Sequence, residues 1–145
     1  MSEDSLEKIC NAYNEIRTYS LLQFNDVPAE PLRLIWHELG RVKEKDGKKN
    51  DYGYYYIVSL SKHLMFLWGQ ALAFDSKVRK HAAPSYGIPR DSRWSFEDWR
   101  RVMRHFKEDL KPRSEIIDAF NKESLKRYGT DRLVPYGRFL DIYYH

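Results

Sequence analysis

Apolar side chains at positions 6, 9, 10, 13, 16 and 19 or 20 follow the i, i+3, i+4 rhythm of an amphipathic helix and predict one over residues 4–22. Asn25 to Pro28 interrupt that rhythm. Pro31 suits a first helical turn, and Leu32, Ile35, Trp36, Leu39 and Val42 supply the stripe of a second helix that ends near Glu44. Residues 45–51, polar and turn-prone, read as an exposed basic loop. The next stretch, 54–68, is apolar around most of a helical circumference, as expected of a central helix packed on several sides. Ser59 could instead cap a shorter helix beginning at Leu60, and residues 52–58 are β-compatible in composition. Gly69 closes this element.

Asp75 stands before SKVRKHAA, where its carboxylate can accept an orphan N–H of a short basic helix over about 76–83. Two prolines and a glycine make 84–93 a loop. Ser95 with Asp98 three residues on has the form of a capping box, and Phe96, Trp99, Val102, Met103, Phe106 and Leu110 form the stripe of a helix over 96–110. Ile116, Ile117, Phe120 and Leu125 describe another helix stopped by Gly129, and a last one is expected over about 135–143. The pattern predicts an all-α, compact single domain of six or seven helices.

A length of 145 residues fits one domain, and 42% hydrophobic with 32% charged residues is too apolar for a disordered tail. No run approaches the ~18 apolar residues of a membrane span. The opening, MSEDSLEKIC, is acidic where a secretory signal is basic and then apolar, so a cytoplasmic protein with no membrane partner is expected. The single Cys10 cannot form an internal disulfide, and its spacing places it on the first helix's apolar stripe as a small core residue. Scattered histidines without a second cysteine argue against a zinc site. The seven glycines form no phosphate-cradling loop, which removes the usual support for nucleotide-binding enzymes; no metal and no cofactor are expected. Net charge is +4, but residues 1–30 carry two basic and six acidic side chains, leaving +8 on the remaining 115 residues. A basic body behind an acidic first helix is compatible with a polyanionic partner.

The stretch from Ser59 to Ala82 is the most informative. Ser61-Lys62 and Phe66 lie in one helix, and Asp75-Ser76, Val78 and Arg79 follow a short connector, with the aspartate thirteen residues after the lysine. Together with Tyr136, Arg138, Asp141 and Tyr143 near the end, these residues resemble the helix-hairpin-helix DNA glycosylase superfamily, particularly its 8-oxoguanine-glycosylase-like bacterial relatives. The resemblance covers roughly a quarter of the chain, and the glycine-rich turn that precedes the lysine in that superfamily is represented only by Gly53.

The resemblance implies a helix-hairpin-helix glycosylase-like fold and a base-excision activity on DNA carrying a damaged base such as 8-oxoguanine. It casts Lys62 as the nucleophile that attacks the sugar carbon and Asp75 as the carboxylate that assists departure of the base. An amine attacks only when unprotonated, and a carboxylate stabilises a positive sugar in the transition state. Lys77, Arg79 and Lys80 would hold phosphates beside backbone N–H groups. Trp68, Tyr86 and Trp94, near glycine and proline, are the candidates for stacking an extruded base, while Trp36 and Trp99 fall on core stripes.

Each residue also has a plain structural reading. At about 100° per residue, Ile57, Leu60, Leu64, Leu67 and Trp68 share one face of the central helix, and Ser59, Lys62 and His63 lie opposite, beside Phe66. Lys62 is then an exposed lysine, His63 a boundary histidine, Asp75 a helix cap, and the tryptophans packing residues. Two alternatives to the enzyme therefore stay open. One is a non-catalytic DNA-binding relative of the same fold, and the other is a helical protein–protein adaptor using its acidic first helix and aromatic surface.

Overall fold

Ser2 opens the first helix by accepting a hydrogen bond on its hydroxyl from the Ser5 N–H at 3.1 Å, which satisfies one of the amides a helix start leaves unpaired. A computed structural model of the chain describes residues 1–43, 53–80, 87, 92–128, 135–137 and 140. The elements are α1 (Glu3–Ile16), a 3-10 segment (Leu21–Asp26), α2 (Ala29–Lys43), β1 (Tyr55–Tyr56), α3 (Ile57–Leu67), a helical stretch 76–80 that we label α4, β2 (Arg93–Trp94), α5 (Phe96–Leu110), a 3-10 turn (Lys111–Arg113) and α6 (Ser114–Tyr128). The described fold is mostly helical, with one two-stranded antiparallel ribbon in which Tyr55 faces Trp94 and Tyr56 faces Arg93. None of its helices is long and apolar enough to cross a membrane.

The first predicted helix is shorter than its apolar marks suggest. It ends at Ile16, and the chain restarts as the 3-10 segment, where the Ser20 N–H donates to the Gln23 side chain at 3.0 Å. Leu21 and Phe24, three apart, both point inward because a 3-10 helix repeats every three residues. Cys10 is exposed, contrary to its expected place in the core. The buried stripe of α1 runs through Ile9, Ala12 and Ile16, and Cys10 is turned away from it. The central helix starts at Ile57, directly after β1, and Ser59 lies in its first turn rather than at its cap.

The core is aromatic. Trp36 and Trp99 meet with ring centroids 5.4 Å apart, Phe24 packs edge-on against Trp99 at 5.6 Å, and Phe74 lies between Trp94 at 4.9 Å and Phe106 at 5.5 Å. Such pairs add about 0.5–1.5 kcal/mol each beyond the area they bury. The Arg33 and Arg100 guanidiniums both sit over Phe96, at 5.3 and 5.5 Å from its centroid, joining α2 to α5. In α5 the capping box is complete, with Ser95 Oγ accepting from the Asp98 N–H at 3.1 Å and Asp98 Oδ2 accepting from the Ser95 N–H at 3.0 Å.

The connector from α3 to α4 is buried at Trp68 and from Ala71 to Phe74, which is unusual for a loop and requires its backbone groups to be paired. Gly69 O accepts from the Gly137 N–H at 3.0 Å, Ala71 N–H donates to Trp68 O at 2.9 Å, and the Gln70 side chain accepts from the Leu21 N–H at 2.9 Å. Gly137 is placed so close that a Cβ there would meet Ala71 O and lie 2.6 Å from Gly69 O. The predicted loop 45–51, Tyr86 and most of 84–93, the stop at Gly129, and Arg138, Asp141 and Tyr143 lie outside the described residues.

Candidate functional site

Ser61 is fully buried on the inner side of α3, where its Oγ accepts from the Phe74 N–H at 2.8 Å and its hydroxyl donates to Val58 O at 3.4 Å. This bond ties the lysine-bearing helix to the segment that leads into Asp75. With adjacent Cα atoms about 3.8 Å apart, it holds the Cα atoms of Lys62 and Asp75 within about 14 Å of each other. Ser61, the first residue of the Ser-Lys pair, thus has a structural task that local pattern does not reveal.

Lys62 is exposed. Asp75 is half-buried, and its Oδ1 accepts from both the Lys77 N–H at 3.0 Å and the Val78 N–H at 2.9 Å, the geometry of a helix cap. Lys77 and Lys80 are exposed on α4. Arg79 is half-buried, and its Nε is enclosed with no hydrogen-bond partner among the described residues. Two exposed lysines, Lys77 and Lys80, therefore lie on α4, while the amides at its start are already taken by the Asp75 carboxylate.

Two of the three stacking candidates are core residues. The Trp68 ring stacks on Phe24 at 6.3 Å while its Nε1–H donates to Tyr19 O at 3.3 Å, and Trp94 is enclosed by Phe74 and the ribbon. At 2% and 0% exposure neither ring has a face free for a base. The third candidate, Tyr86, lies outside the described residues.

Phe66, unlike those tryptophans, has an accessible ring. It is 82% exposed on α3, one turn beyond Lys62, and borders a shallow recess of about 530 Å³ that is also lined by Met65, Gly69 and Pro135. Burying such a ring is worth about 1.5–3 kcal/mol. The spacing of four residues from Lys62, on the polar arc of the helix, was the available signal.

A second, larger groove of about 730 Å³ runs between α1 and α2 and shares no residue with this site. Its wall carries charges of both signs, including Lys8, Glu15, Arg33, Glu38 and Arg41. His37 lies in the same wall with Nδ1 3.0 Å from the Tyr55 hydroxyl, and burial, followed by the Arg41 and Arg33 guanidiniums, lowers its pKa below the ordinary 6.5. Among the described residues no three His, Cys, Asp or Glu side chains gather as a metal site. No family model matches the chain, and no curated protein or solved structure is detectably similar to it.

Proposed function

We propose that the chain is a DNA-repair glycosylase with lyase activity that excises an oxidised purine such as 8-oxoguanine. Lys62 Nζ forms a bond to the sugar carbon as the glycosidic C–N bond breaks, and that bond's electron pair leaves with the base, which takes up a proton. Asp75 stabilises the positive charge that develops on the sugar and takes part in the proton transfer. The amine's lone pair then forms the C=N bond of a Schiff base as the sugar's C1′–O4′ bond breaks and O4′ takes up the proton released by Nζ, which permits strand cleavage. The observation that carries this reading is the 2.8 Å hydrogen bond from the Phe74 N–H to Ser61 Oγ, which couples the neighbours of Lys62 and Asp75 across thirteen residues. The exposed Lys77 and Lys80 support it as phosphate contacts.

Borohydride trapping on duplex DNA with 8-oxoguanine or an abasic site tests it. A covalent adduct formed by the native chain and lost in Lys62→Ala is expected. Base excision retained by Lys62→Ala would overturn the assignment.

A second reading, a non-catalytic DNA-binding relative, is favoured by two observations: Asp75 Oδ1 is already engaged by two amides, and Lys62 lines neither cavity. It requires binding whose log affinity falls with log salt by about 0.9 per phosphate contacted, with no adduct.

A further inference from the structure

The exposed face of α3 and the ribbon beside it combine aromatic and cationic groups in one stripe. Tyr56 is 48% exposed at the start of α3 and Phe66 is 82% exposed near its end. At about 100° per residue, Ser59, Lys62, His63 and Phe66 fall within about a third of the helical circumference, and Tyr56, in extended conformation, stands at the helix's N-terminal cap. Arg93, also exposed, faces Tyr56 across the antiparallel pair, and directly opposed residues project their side chains to the same side of a ribbon. No member of this stripe is acidic.

We infer that this stripe is a binding track for a single-stranded nucleic acid, with Tyr56 and Phe66 as stacking platforms and Lys62 and Arg93 as phosphate contacts. Aromatic side chains accept the π-face of any base, and cations between them follow the backbone. From the cap residue Tyr56 to Phe66 the backbone rises about 15 Å at ~1.5 Å per residue, the length of about four stacked nucleotides at ~3.4 Å each. An acidic peptide would complement Lys62 and Arg93 but would leave two exposed rings without a planar partner. A duplex keeps its bases stacked on one another and offers the rings none. The track uses Lys62 as a phosphate contact rather than as a nucleophile, so it goes beyond the glycosylase reading and does not depend on it.

The test is fluorescence anisotropy with the full chain and labelled oligothymidine, oligouridine and a duplex of equal length, at low salt. Oligothymidine, oligouridine or both should bind more tightly than the duplex. Phe66→Ala should weaken single-strand binding about tenfold or more, as loss of a base–aromatic stack does, and Phe66→Trp should restore it with quenching of the new indole on binding. Tyr56→Ala should act in the same direction and Tyr56→Phe should not. Ile116→Ala, which removes another exposed apolar side chain, on α6, should leave affinity unchanged. Duplex binding as tight as single-strand binding overturns the track, as does unchanged affinity in Phe66→Ala or equal binding of polyglutamate. Borohydride trapping on duplex DNA is read separately, so an adduct without single-strand binding removes the track and keeps the glycosylase.

Discussion

The Asp75 carboxylate and the Val78 amide are joined by a 2.9 Å hydrogen bond, so the proposed catalytic carboxylate is also the residue that starts α4. Asparagine caps a helix about as well as aspartate, whereas alanine costs about 1 kcal/mol. Asp75→Asn is therefore expected to keep the urea midpoint of the native chain while losing the borohydride adduct. Asp75→Ala should lose both. Native-level trapping by Asp75→Asn would leave the carboxylate with capping alone.

Ser61→Ala removes the acceptor of the Phe74 N–H in a buried region. An amide left unpaired there costs about 1–3 kcal/mol. The variant should unfold at a correspondingly lower urea concentration with an unchanged slope, and hydrogen exchange at Phe74 should accelerate. Exchange at Phe74 that stays native would mean another acceptor takes over.

Acid should weaken the α1–α2–ribbon region through His37. Burial first, then Arg41 and Arg33, hold its folded-state pKa below the ordinary 6.5, with Glu38 opposing them. The unfolded chain therefore takes up the proton first as pH falls, and the stabilisation present above the ordinary pKa is lost from there down through the lowered folded value. The urea midpoint should decline over that interval, and His37→Gln should flatten the decline. An equally steep profile in His37→Gln would assign the dependence to another group.

Gly137→Ala places a methyl against Ala71 O and 2.6 Å from Gly69 O, where the neighbours are backbone and cannot rotate away. Overpacking of this kind costs about 1–3 kcal/mol. A thermal melt should show the loss, and protease should cut the connector between α3 and α4 faster than in the native chain. A melt matching the native chain would show that the segment can back away freely.

Where packing is decided by local period, the sequence was legible. The stripes of α2 and α5 follow helical spacing, and the Ser95–Asp98 box and the Asp75 cap involve only neighbours. Lys62 and Phe66 on the outer arc of α3 were also readable, since a helix of known phase assigns its faces. The misreadings share a cause in distant contacts. Trp68 and Trp94 sit near glycine and proline, but Phe24 and Phe74, far away in sequence, bury them. Cys10 shared the apolar rhythm of α1, yet the helix buries only as much of that stripe as α2 and the rest of the core can cover. The groove holding His37 and the Ser61–Phe74 bond depend on how separate elements are set against one another, which no single stretch encodes.

The docking of Gly137 on Gly69 also imposes an order on folding during synthesis. The connector that leads to Asp75 leaves the ribosome long before the residues that cover it, and a buried loop without its cover exposes both apolar side chains and an unpaired Gly69 carbonyl. The nascent chain must therefore carry an open connector for the time needed to translate α5, α6 and the segment beyond them. A stalled or shortened chain would form its helices and the Ser61–Phe74 bond and still lack the cover that Gly137 places over the connector.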